Sequence, residues 1–222
     1  MKHFLKILVV IVVVIQLFSC APTRIVKPLP AKQKTVGATF GGPLLHFAGA
    51  IVPFPLTSLY GAYGIDSTNT LFGGLHTTSL AFADLHLDIG VVHNVYTSSN
   101  AYMPNISLSP TFNFIYAFRD GERRFYPQID INFYWERTNK LFYFTSSNWF
   151  ILDKTKAHGE LQQQHWLPTF NLGTFLRLHK KVNYQIELRY LAPFTQNNSV
   201  VDYLNINNHG AFGIYFGMNI KL

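Results

Sequence analysis

The chain has 222 residues and a formal charge of +7, enough for one moderate domain once a leader is set aside. Charged residues make up only 13%, about half the ~25% of a typical soluble domain, while aromatics reach 16% and are mostly Phe and Tyr. Such a composition supplies a water-facing surface poorly, its scattered basic residues argue against a nucleic-acid partner, and its one cysteine, Cys20, excludes an intramolecular disulfide.

In chain order, the first element is "MKHFLKILVVIVVVIQLFSCAPTR". Lys2 and Lys6 form a short basic region, and Ile7 to Phe18 is apolar except for Gln16. That run is too short for a helix crossing a ~30 Å hydrocarbon core, and reads as a secretory leader. Its end, Leu17-Phe18-Ser19-Cys20, resembles the lipobox of bacterial lipoproteins, with leucine three residues before the cysteine and a small residue directly before it. The resemblance implies a signal peptide over residues 1–19, cleavage before Cys20 and a covalent lipid on that residue, with no other cofactor. Removing Lys2 and Lys6 lowers the charge from +7 to +5. Ala21 stands where an aspartate would retain many lipoproteins in the inner membrane, so the resemblance implies outer-membrane lipid as the partner.

Residues 20–34 then read as the acylated cysteine and a Pro/Lys-rich linker. In "APTRIVKPLPAKQK", Pro22, Pro28 and Pro30 favour an extended, semi-rigid path. Arg24, Lys27, Lys32 and Lys34 could meet anionic headgroups or form a merely soluble basic tether.

Residues 35–222 carry strand after strand, with no convincing helix. Strands are expected near 35–48, 55–66, 69–79, 84–96, 105–118, 122–136, 140–152, 163–178, 182–194 and 209–222. Hairpin signals separate several of them: Asp66 to Asn69, Arg119-Asp120-Gly121 and His179-Lys180-Lys181. In "RFYPQIDINFYWE", Phe125, Pro127, Ile129, Ile131, Phe133 and Trp135 share one face, opposite Tyr126, Gln128, Asp130, Asn132, Tyr134 and Glu136. In "GAFGIYFGMNIKL", Phe212, Ile214, Phe216, Met218, Ile220 and Leu222 oppose Ala211, Gly213, Tyr215, Gly217, Asn219 and Lys221.

Alternation of period two shows only that one face is apolar and the other wet. Two features point the apolar face to lipid. Many strands exceed the ~5–6 residues of globular sheets and match the ~9–11 of a tilted spanning strand. Aromatics also crowd towards strand ends, at Tyr134, Trp135, Trp149, Phe150, Trp166, Tyr190 and Phe194, as in interfacial girdles. Lipid leaves no partner for an open sheet edge, so the sheet must close. The last segment is similar to the final strand of outer-membrane β-barrel proteins, although it ends on Leu222 where that family often has phenylalanine. The expected fold is therefore all-β: a closed antiparallel up-and-down transmembrane barrel of eight to ten strands, ten preferred. With an even number, the short turns at Asp66–Asn69 and His179–Lys181 lie on the periplasmic side, and the longest connections, about 153–162 and 195–208, lie outside. Thr97 to Pro104 is long for a periplasmic turn.

Alternation also points Asp84, His86 and Asp88 one way from a single strand, with His76 beside them on the next. Carboxylate and imidazole suit a divalent metal or acid–base work, but a lumen is polar at every second residue anyway, so neither a metal nor a catalytic residue is assigned. Asp130, Glu136, Glu187 and Arg189 join them as lumen-facing candidates, forming either a charged constriction or an ion-pair network filling a narrow barrel. The expected role is structural, binding or narrow-channel. Two alternatives remain. One is a lipid-modifying hydrolase using His93-Asn94 near "YTSSN", although the compact His-x-Ser-Asn arrangement of lipid A deacylases is missing. The other is a periplasmic lipocalin-like barrel with its apolar faces turned inward around a hydrophobic ligand.

Overall fold

The computed structural model describes residues 23–156, 160–197 and 201–222; the leader and Cys20 lie outside the described residues. The strands are β1 (Lys34–Phe47), β2 (Ala50–Pro53), β3 (Leu56–Gly64), β4 (Asn69–His76), β5 (Asp84–Tyr96), β6 (Asn105–Ala117), β7 (Arg123–Arg137), β8 (Lys140–Phe150), β9 (Trp166–Leu176), β10 (Val182–Gln196) and β11 (His209–Lys221). From β3 to β11 each strand pairs antiparallel with the next, β1 pairs with β2 and β3 on one side and with β11 on the other, and the sheet closes. Because β2 continues β3 along β1 across a break at Phe54–Pro55, the wall has ten staves. One short helix, α1 (Thr77–Leu80), interrupts the expected strand over 69–79 and turns the chain from β4 into β5.

Closure is long and regular: Thr35 faces Lys221, and the ladder runs without a break to Pro43 opposite Gly213. The barrel ends differ. At the terminal end, where β1 begins and β11 finishes, connections are short except for 97–104. In the 65–68 turn, the Asp66 carboxylate accepts from the Asn69 side chain at 2.8 Å, and from the Thr68 hydroxyl and N–H, each at 2.7 Å. Those donors, the Asn69 side chain foremost, hold its pKa below the usual carboxylate range. At the loop end lie 151–165 and 197–208, and part of the latter folds back onto β1: Asp202 C=O accepts from His46 N–H at 2.9 Å. Tyr203 pairs with Leu45 there, and burial pushes its phenol up to about 12.

The two faces sort as alternation demands. Phe216, Met218, Ile186, Leu188, Leu172, Phe144, Ile89 and Phe40 are exposed on the outside, while Tyr215, Glu187, Asn171, Thr145, Asn132 and Asp88 are buried inside. A lipocalin-like barrel requires the opposite: the interior is polar and hydrogen-bonded, so it offers no apolar chamber. Two residues expected in the aromatic girdles face inward instead. Tyr134 is buried, and Trp149 packs on His86 and Tyr126, because both share parity with the inward residues of their strands. Trp135, Trp166 and Phe194 do sit near strand ends; the Trp135 indole donates to Tyr102 C=O, and Trp166 packs on Phe194 while donating to Asn148.

One glycine shapes the interior. Gly173 on β9 lies between Tyr143 of β8 and Glu187 of β10. The Tyr143 ring crosses it so that its hydroxyl donates to Glu187 Oε2 at 2.6 Å, and a Cβ at residue 173 would come within 2.3 Å of that ring. Gly173→Val is therefore expected to displace Tyr143 and destabilise the barrel by about 1–3 kcal/mol. Chemical denaturation in detergent would read this, and an unchanged midpoint would show that the ring moves without cost.

Candidate functional site

The lumen is occupied by the chain itself. Residues 23–33, expected as a tether, instead enter the barrel and run from mid-lumen to the terminal end, where Lys34 begins β1. Thr23, Arg24, Ile25, Val26 and Pro28 are all buried. The segment takes neither helix nor strand, bending at Val26–Lys27 and turning at Ala31–Lys32; its partner is the barrel wall rather than solvent.

Arg24 and Ile25 both reach the β3–β5 side of the bore, and Val26 turns to the opposite wall. Ile25 packs against Tyr60, Ala62, Phe72 and Val92 of β3–β5. Val26 packs against Tyr134, Leu141, Tyr143 and Phe175 of β7–β9. The backbone is satisfied by wall side chains, as burial demands. Glu187 accepts from Thr23 N–H at 3.3 Å, and Gln185 donates to Thr23 C=O. Ser107 donates to Val26 C=O at 2.5 Å, and Thr70 accepts from Leu29 N–H at 2.7 Å. Near the mouth, Lys32 N–H donates to Gly64 C=O at 2.7 Å, and Gln33 C=O accepts from Gly64 N–H at 2.9 Å.

Three ion-pair centres tie segment and wall together. Arg24 pairs with Asp88, each side chain only 4% exposed. The second Asp88 oxygen lies 2.8 Å from His76 Nε2, and His76 stacks on His86 with centroids 3.7 Å apart. His86 in turn lies 3.2 Å from Asn113 Oδ1. The Arg24 guanidinium also lies 5.5 Å from the Tyr60 ring centroid, within cation–π range. At the second centre, Glu187 pairs with Arg189 and accepts from Tyr143 and Thr23; Arg189 stands over the Tyr215 ring. At the third, near the terminal end, Glu136 is shared between Lys27 and Arg177, the latter at 2.9 Å.

Of the lumen candidates, His86, Asp88, Asp130, Glu187 and Arg189 are buried inside, and Glu136 is half-buried. Asp130 accepts from Gln128 at 2.7 Å. Asp84 starts β5 at the loop end and is only half-buried, clear of the three ion-pair centres. Among the described residues, no three His, Cys, Asp or Glu side chains converge as metal ligands. His93 and Asn94 are at the terminal end: His93 Nδ1 lies 2.8 Å from Asn69 Oδ1, and Asn94 donates to Thr97. Ser98 bonds to Asn100, so this group does not form a nucleophile–base pair. Sequence reasoning missed Arg24 and Lys27 as partners of Asp88 and Glu136. The available signal was two apolar residues, Ile25 and Val26, flanked by two cations within a supposed tether.

No family model and no curated protein matches the sequence. Among solved structures, the chain is similar to the translocator domain of autotransporter NalP from Neisseria meningitidis, at 8% identity over 87% of this chain and 90% of that one, with a TM-score of 0.49. It is also similar to an outer-membrane channel from Pseudomonas putida F1, at 10% identity over 91% of this chain and all of that one, TM-score 0.47. The NanC porin gives 11% identity over 85% of this chain and all of that one, TM-score 0.47. At these identities the likeness is one of fold.

Removing one member of a buried pair leaves an uncompensated charge, which typically costs more than the pair contributes. Arg24→Met is expected to destabilise the folded chain by ~3–5 kcal/mol. Adding Asp88→Asn to that variant should recover part of the loss. Urea titrations followed by tryptophan fluorescence would show it, and a double variant no more stable than Arg24→Met would mean that Asp88 is not the responsible partner.

Proposed function

We propose that the protein is an outer-membrane β-barrel lipoprotein whose lumen is a chamber for its own amino-terminal segment. The observation that carries this reading is the pairing of an apolar exterior with a polar, occupied interior. Ile186, Leu188, Leu172 and Phe216 face out from neighbouring staves, where water would be a poor solvent and hydrocarbon a good one. With Thr23–Gln33 inserted, ion pairs and apolar packing fill the bore, and this form has a structural or binding role rather than that of an open channel.

Acylation of Cys20 bears directly on this insertion. Cys20 precedes Thr23 by three residues, a reach of about 11 Å at full extension. Thr23 bonds to Glu187, which lies five residues from Val182 and nine from Gln196, the two ends of β10. Five residues of a tilted strand rise by about 12 Å along the barrel axis, so with Thr23 inserted that reach is comparable to the distance to the nearer rim of β10. A lipid on Cys20 needs hydrocarbon outside the wall, so anchoring pulls against full insertion of the same segment. Once withdrawn, the chain from Cys20 to Lys34, fourteen residue-to-residue steps, spans up to about 46 Å, ample to reach a leaflet from the start of β1. On this reading the anchored form has its lumen vacated; the unanchored form is closed.

Both parts are tested by comparing the lipidated chain with residues 21–222 exported behind a non-lipoprotein leader. Both forms should resist alkaline extraction from outer membranes; release of the unlipidated form as a folded soluble protein would sink the spanning barrel. Trypsin admitted to the periplasm should cut after Arg24 in the lipidated form and spare it in the other; Lys27 precedes Pro28 and is not a trypsin site in either. Equal protection of both forms would show that anchoring does not withdraw the segment.

A further inference from the structure

We propose that the lumen wall is a binding site for a short basic peptide without regular secondary structure, and that Thr23–Gln33 occupies it as a tethered ligand that can be exchanged. The inference rests on the reading of the lumen as a chamber for this segment. It adds that the chamber recognises chemistry which another chain can supply.

Charge complementarity is the first ground. Around the segment, the wall contributes three ion-paired carboxylates, Asp88, Glu136 and Glu187, against two guanidiniums, Arg177 and Arg189. The segment adds Arg24 to Asp88 and Lys27 to Glu136. Without it, the described wall leaves Asp88 with His76 and Glu136 with Arg177, and these two carboxylates are placed to receive two cations three residues apart.

The second ground is how the peptide backbone is held. Glu187, Gln185, Ser107 and Thr70 bond to main-chain groups of Thr23, Val26 and Leu29, so these contacts do not depend on the segment's side chains. Main-chain bonding supplies affinity, and side-chain pockets supply selectivity, as in extended-peptide sites. Here the pockets are the two apolar clusters taken by Ile25 and Val26. The motif read by the wall is a cation, two aliphatic residues and a second cation.

Shape is the third. Gly74 lies under the Arg24 guanidinium, and a Cβ there would be 2.3 Å from Nη1. At the mouth, a Cβ on Gly64 would be 2.1 Å from Pro30 C=O. Both glycines leave room for the occupant. All contacts of residues 23–33 with the wall are non-covalent, and the covalent link is only through Gln33 to Lys34.

The test uses full-length mature chain in detergent with Cys20→Ser, so that neither lipid nor membrane insertion enters. In the first arm, Arg24→Glu and Lys27→Glu are introduced to expel the segment, and a fluorescein-labelled peptide with the sequence of residues 23–33 is added. Saturable binding, seen as rising anisotropy, is expected for this variant and not for its parent. Glutamate at the two cationic positions of the peptide should weaken binding by roughly 30-fold or more. The second arm needs no expelled segment and applies even where the charge-reversed chain fails to fold. Ile25→Cys in the Cys20→Ser background places one thiol in the inserted segment. Unlabelled peptide should accelerate its reaction with a maleimide saturably, by holding the wall while the segment is out, whereas the glutamate peptide should not. Absent binding to a folded charge-reversed chain, or thiol labelling indifferent to peptide, would overturn the proposal and make residues 23–33 a fixed part of the barrel. Either result leaves the membrane reading standing, because that reading is decided by extraction and not by these measurements.

Discussion

Closure is the constraint from which the remainder follows. A sheet whose outer face is Phe, Leu, Ile and Met has no water to satisfy an open edge, and the β1–β11 ladder removes that edge over nine residue pairs, Thr35–Lys221 to Pro43–Gly213. Closing ten staves fixes a bore wider than the wall's own side chains need to meet across it. The space must hold water, a ligand or more protein. In this chain it holds Thr23–Leu29, from the amino-terminal side of β1, and the polar inner face is arranged around them.

Much of the barrel was legible in the sequence. Ten strands can be placed within a few residues of their observed limits because period-two alternation is strong in segments such as Arg123–Arg137 and His209–Lys221. What escaped was α1, four residues without an N-terminal side-chain cap, and β2, which continues a strand past Phe54–Pro55. The inward turn of Trp149 was legible by parity but masked by the expectation that tryptophan belongs to a girdle. The candidate site was half legible. Asp88, His86, Glu187 and Arg189 follow from alternation, whereas their connection to Arg24 and Thr23 is a pairing across 64 to 166 positions that no local pattern encodes. A Pro-rich basic stretch has the same composition whether it lies in solvent or in a bore.

The chemistry of the lumen explains why such a stretch takes one placement there. A segment with Pro28 and Pro30 has little secondary structure to commit it to a position, and Ile25 and Val26 could slide along an apolar groove at small cost. Buried ion pairs act differently. Their desolvation cost is offset only at good geometry, so they contribute little net stability while penalising every shifted register heavily. Moving the segment by one residue would bring Ile25 to the place of Arg24 beside Asp88, taking the guanidinium away from that carboxylate in the interior. The apolar contacts thus supply attraction, and the Arg24–Asp88 and Lys27–Glu136 pairs supply position. An occupant held mainly by position-setting charges is bound selectively without being bound irreversibly, which is the balance a segment needs if the same residues must also serve as the tether of a lipid anchor.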